Sequence, residues 1–109
     1  MLDKKILEIL ESKKAIDIKV MDIAQKSTFT DKFIIASGTS NTHVKSLADN
    51  IEVDLKKEKI YARKIEGYES GRWILMDYGE VVVHIFHPEE REFYDLENLW
   101  EKLLNRLED

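Results

Sequence analysis

The 109-residue chain contains no cysteine. Disulfides, thiolate nucleophiles and cysteine-based zinc sites are excluded with it, and a cytoplasmic chain is the simplest expectation. Proline is almost absent as well: the single Pro88 and the four glycines all fall between patterned segments. No linker-like or low-complexity tract divides the sequence, so one domain over residues 1–109 is expected. No apolar run approaches the roughly 20 residues of a membrane span, and Met1-Leu2-Asp3-Lys4-Lys5 lacks the apolar stretch of a signal peptide, which leaves no membrane role. Basic residues are outnumbered 17 to 22, for a net charge of −5. That balance argues against a nucleic-acid backbone as the main source of affinity, because such binding needs clustered Lys and Arg.

What is present is globular, with 43% hydrophobic and 36% charged residues. The charge is unevenly placed. Residues 1–64 carry 13 basic and 10 acidic side chains, a formal +3, whereas residues 65–109 carry 4 and 12, a formal −8. An acidic half that also holds the aromatic run Phe93-Tyr94 and both tryptophans suits a basic partner.

Apolar spacing predicts the elements. Leu2, Ile6, Ile9 and Leu10 recur at helical intervals; Ile16, Ile18 and Val20 then alternate as in a half-buried strand ending near Asp22. Gln25-Lys26-Ser27-Thr28 reads as a turn or bulge, and Lys32 to Ser37 is a continuous apolar run expected of a strand covered on both faces. After the loop Gly38-Thr39-Ser40-Asn41, Val44, Leu47, Ala48, Ile51 and Leu55 mark the clearest amphipathic helix. Ile60 to Glu66 alternates again. Two strong strands, Arg72–Tyr78 and Val81–His87, meet at Gly79-Glu80; a helical turn follows Pro88, and Leu96, Leu99, Trp100, Leu103, Leu104 and Leu107 form a last helical stripe. The order α-β-β-α-β-β-β-α predicts an α/β, or α+β-like, domain: a mixed five-stranded sheet flanked by helices. The strand-helix-strand unit is expected to supply a parallel pair.

A two-residue turn at Gly79-Glu80 pairs Tyr78 with Val81, Asp77 with Val82, Leu75 with His84 and Trp73 with Phe86. Trp73, Leu75, Asp77, Val82, His84 and Phe86 then share one face, and Ile74, Met76, Tyr78, Val81, Val83 and Ile85 the other. Both faces are largely apolar, so both call for cover. Asp77, Tyr78 and Glu80 stand out as a polar tip. On the residues alone, Trp73 reads first as a core aromatic and second as an interface anchor. Flanked by Val83 and Ile85, His84 reads as a hydrogen-bonded core imidazole.

Candidate chemistry is sparse. His84 and His87, three apart on a strand, point to opposite faces, and neither HExxH nor an acidic calcium loop occurs, so no metal is assigned. Ser37-Gly38-Thr39-Ser40 could cradle a phosphate at a helix start, as in a nucleotide-binding or nucleotidyltransferase-like enzyme. That chemistry needs carboxylates at i and i+2 on a strand, and Asp17, Asp22 and Asp77 are followed there by Lys19, Ala24 and Gly79. A helix cap is the better account of the loop. Gly-x-Ser-x-Gly is also missing, and no catalytic residue or cofactor is assigned.

The stretch from Gly71-Arg72-Trp73-Ile74-Leu75-Met76-Asp77-Tyr78-Gly79-Glu80 through His87-Pro88-Glu89-Glu90-Arg91-Glu92-Phe93-Tyr94 to Trp100 resembles the signature of the ribosomal silencing factors, or Iojap family. Thr30-Asp31-Lys32-Phe33 through Ser40, with His43-Val44, resembles the family's other motif. The resemblance covers nearly the whole chain. It implies a sheet distantly similar to that of nucleotidyltransferases without their carboxylates, and a translational repressor rather than an enzyme. It further implies binding to ribosomal protein fourteen of the large subunit, obstruction of subunit joining when nutrients are scarce, and a homodimer when free. Carried over by residue, the partner-binding surface would comprise Trp73, Asp77, Tyr78, Gly79 and Glu80, with Ser70 and Glu69 nearby. On that ground Trp73 moves from core toward anchor.

Overall fold

A computed structural model describes residues 2–24, 30–96, 98, 99, 101 and 102. Its elements are α1 (Leu2–Ser12), β1 (Ile16–Asp22), β2 (Lys32–Ser37), α2 (Asn41–Lys57), β3 (Lys64–Glu66), β4 (Trp73–Asp77), β5 (Val81–Phe86) and α3 (Pro88–Tyr94). Leu96, Asn98, Leu99, Glu101 and Lys102 are also helical, whereas the expected turn at Gln25–Thr28 and the stripe at Trp100, Leu103, Leu104 and Leu107 lie outside the described residues.

The five strands form one mixed sheet in the order β1-β2-β5-β4-β3. Its parallel pair is β2 with β5, and the other three pairings are antiparallel. The crossover through α2 therefore does not set β2 beside the next strand. It carries the chain to the far edge, from which β3, β4 and β5 return as a meander and bring β5 against β2.

One face of the sheet is packed by α1 and α2. The five stripe positions of α2 are buried there with Ile6 and Leu10 of α1, against Ile34 and Ala36 of β2, Ile74 and Met76 of β4, and Val81, Val83 and Ile85 of β5. Ser40 caps α2, its Oγ accepting the His43 N–H at 3.1 Å, and Lys56 and Lys57 sit at the negative end of the helix dipole. The opposite face buries a smaller group, Met21, Ile23, Phe33, Ile35 and Phe86, with Leu96 packed on it.

Three expectations are corrected. β3 is shorter than Ile60–Glu66: Ile60 still closes the end of α2 through its N–H to the Leu55 carbonyl, Lys59 takes φ 62°, and sheet pairing starts only where the Arg63 N–H reaches Asp77 O at 2.7 Å. In β1 the buried residue is Met21, not its neighbours of opposite parity, for Ile16 and Val20 remain 38% and 39% exposed. A bulge between Ile16 and Lys19, with Asp17 at φ 50°, breaks the simple alternation, and the cover over Met21 comes from the face away from α1 and α2. In the C-terminal segment Leu96 is packed, yet Leu99 of the same predicted stripe is 55% exposed.

Candidate partner-binding surface

The hairpin has the expected register, with Trp73 opposite Phe86, Leu75 opposite His84 and Asp77 opposite Val82. Alternation along β4 turns Ile74 and Met76 toward the helices, where they are buried, and Trp73, Leu75 and Asp77 to the outer face, where they are half-buried. On this outer face the C-terminal segment lies toward β1: Leu96 packs on the Phe33 group and Glu101 pairs with Lys19. Toward β4 and β3 the same surface continues over Val82, Trp73, Leu75 and Asp77 to the exposed Lys64 and Glu66, which pair at 3.0 Å.

Trp73 is held from beneath. Its indole stacks on Phe86 with centroids 4.9 Å apart and planes 25° from parallel, and its Nε1–H donates to His84 Nδ1 at 3.1 Å. His84 is 4% exposed and lies edge-on to Phe33 at 4.8 Å. Burial pushes the imidazole down to about 4, so the ring is neutral; with Nδ1 accepting, its proton sits on Nε2. His84 is thus the hydrogen-bonded core imidazole its flanking residues imply. His87 leaves the strand and caps α3, its Nδ1 accepting the Glu89 N–H at 3.3 Å.

The seven residues carried over from the resemblance do not form one patch. Trp73 and Asp77 share the outer face. Asp77 Oδ1 accepts the Gly79 N–H at 2.8 Å, an Asx turn that shapes the tip, where Gly79 adopts φ 89° and Glu80 is exposed. Tyr78 is not part of an exposed tip: it is 8% exposed, packs with Ile74, Met76 and Val81 under the helices, and its hydroxyl has no hydrogen-bond partner among the described residues. Desolvation, with a lesser push from Glu52, raises this phenol to about 12. Glu69 and Ser70 sit in the loop before β4, a strand length of about 13 Å from the tip. Ser70 Oγ serves that loop, donating to Gly67 O at 3.3 Å and accepting the Arg72 N–H at 3.2 Å. Missing from the expected set are Leu75, next to Trp73 on the outer face, and Val82, opposite Asp77 on the same face; their shared parity with Trp73 was the available signal.

The loop ahead of α2 uses its donors internally. Gly38 N–H reaches Phe86 O at 3.0 Å, Thr39 N–H reaches His43 Nδ1 at 2.9 Å, and the cap takes the His43 and Val44 N–H groups. Those four N–H groups are therefore not available to cradle a phosphate. The described residues hold no group of three or more His, Asp or Glu able to bind a metal ion, and no helix among them is long and apolar enough to cross a membrane. The arrangement offers a half-covered aromatic and aliphatic face bordered by carboxylates, a surface for docking.

The family model described as ribosomal silencing factor during starvation matches residues 2–109. A ribosomal silencing factor of Chromobacterium violaceum is 40% identical, with 91% of this chain and 81% of that protein aligned; one of Bacillus subtilis is 39% identical, with 92% and 88% aligned. A mouse protein named for mitochondrial assembly of the ribosomal large subunit is 35% identical over 87% of this chain and 43% of its own length. A crystal structure of a Chromobacterium violaceum protein has the same fold, with a TM-score of 0.89 at 40% identity over 92% of this chain and 83% of that one. With the sequence signature, the five-stranded sheet and these relatives in agreement, the chain belongs to the ribosomal silencing factor family.

Proposed function

We propose that this protein represses translation by binding the large ribosomal subunit through ribosomal protein fourteen and excluding the small subunit by its bulk. The observation that carries this reading is the outer sheet face, where Trp73, Leu75 and Val82 lie half-buried beside Asp77 and Glu66. A half-buried Trp among aliphatic neighbours, ringed by polar groups, is the composition of an interface centre. Ribosomal proteins are basic, and the −8 of residues 65–109 steers toward such a surface while repelling bare RNA. Occlusion requires no catalytic group, only a standard interface and enough volume to clash with the incoming subunit.

Self-association of the free protein would draw on the same face, through the half-buried Trp73, Leu75 and Val82. The loop before α2 commits the Gly38, Thr39, His43 and Val44 N–H groups to the sheet and the cap, and the sequence lacks the paired strand carboxylates that nucleotidyl transfer needs. Sedimentation with isolated large subunits, isolated small subunits and joined ribosomes tests the proposal. Association confined to the free large subunit is expected; equal association with all three would refute it.

A further inference from the structure

We propose that His84 is a positioning residue for docking: its Nδ1 holds the Trp73 indole N–H and so fixes that ring flat across Phe86, in the orientation the partner meets. This inference rests on the function proposed above.

Three observations support it. The two rings are unequally buried. His84 is 4% exposed and lies against Phe33, whereas Trp73 is half-buried, so the bond at 3.1 Å ties a partly exposed ring to a buried one. The stack on Phe86 restricts tilt, and the hydrogen bond selects which edge of the indole faces the sheet; together they remove the rotamer freedom that a surface Trp would otherwise lose on association. The histidine is also a costly choice for packing alone. Its Nε2–H finds no acceptor among the described residues, a penalty that phenylalanine in the same aromatic cluster would not incur. What an imidazole supplies here, and phenylalanine cannot, is the acceptor at Nδ1.

Two variants separate positioning from simple support of the fold. His84→Phe keeps ring and volume but deletes the acceptor, whereas His84→Asn retains an acceptor close to the position of Nδ1 and leaves a gap. The hydrogen-bonded indole N–H of Trp73 is followed by nitrogen–proton NMR in the free protein, with Trp100→Phe assigning the two indole signals. His84→Phe is expected to unfold at the wild-type temperature or above it, to lose the hydrogen-bonded indole shift, and to bind isolated large subunits about tenfold more weakly. His84→Asn is expected to unfold at a lower temperature yet keep the indole shift and bind within about threefold of wild type. Affinity that tracks thermal stability instead, with His84→Phe binding normally and His84→Asn failing, would overturn the role. So would an indole signal indifferent to His84→Phe, whereas wild-type protein failing to sediment with large subunits would overturn the proposed function and this role with it.

Discussion

Trp73 and His84 are the residues on which the proposed docking face depends. Truncating a half-buried Trp removes less packing than truncating a fully buried one, so Trp73→Ala is expected to stay folded at a cost below the roughly 3 to 5 kcal/mol of a core aromatic. If the ring is an interface anchor, the same change weakens large-subunit association by at least about 2 kcal/mol, near thirtyfold. Circular dichroism melting beside sedimentation measures both; an unfolded variant would return Trp73 to the core. His84 has its own signature in acid. The unfolded chain takes up this proton near the ordinary pKa of 6.5, and the folded imidazole refuses it until about 4. Stability therefore falls as pH drops through that window, by about 3 kcal/mol for this group. In denaturant titrations from pH 7 to 4, His84→Phe is expected to flatten that part of the acid loss; an unchanged slope would contradict the burial argument.

The loop from Gly67 to Gly71 aims β4, and Gly67 allows no side chain. At φ 81° a Cβ there would sit 2.0 Å from the Trp73 carbonyl oxygen, a backbone atom that cannot yield without moving the strand. Gly67→Ala is expected to destabilise by about 2 kcal/mol or more, read as a lowered melting temperature, and a neutral result would mean the loop can re-form. The elements differ in how plainly their sequences announce them. The β4–β5 register follows from a two-residue turn, and α2 from five apolar positions plus a Ser cap, because both are encoded by neighbours along the chain. The partner of β2 is not local, since β5 reaches it only after β3 and β4 are laid down, and the bulge in β1 displaces an alternation that otherwise looks regular. Tyr78 is instructive. Hairpin parity set it beside Ile74 and Met76 on the helix-packed side, where it is found; its reading as part of a polar tip came from its place next to the turn, and the parity was the better guide.

At the scale of the whole molecule, the sheet has among the described residues one face that α1 and α2 cover and another on which Leu96 packs on the Phe33 group and Glu101 pairs with Lys19, with Trp73, Leu75 and Val82 half-buried. Net charge acts at this scale. Reversing Glu66 and Glu80 to Lys, both exposed and neither shaping the hairpin turn through its carboxylate, is expected to slow association with large subunits several-fold at low salt and to reduce its salt dependence, with little change in dissociation. Stopped-flow association at two ionic strengths reads this, and identical rates would remove electrostatic steering from the account. Family membership was legible in two long motifs, whereas the burial of the outer sheet face was not, because it depends on contacts between segments far apart in sequence, such as Leu96 on the Phe33 group. The central claim is that occupancy of the large subunit and joining of the small one are mutually exclusive. It is tested most directly by light scattering of subunit joining after isolated large subunits are incubated with increasing protein. Joined ribosomes are expected to fall in proportion to occupied large subunits, while Trp73→Ala at equal concentration leaves joining intact; saturated binding with joining undiminished would contradict the account.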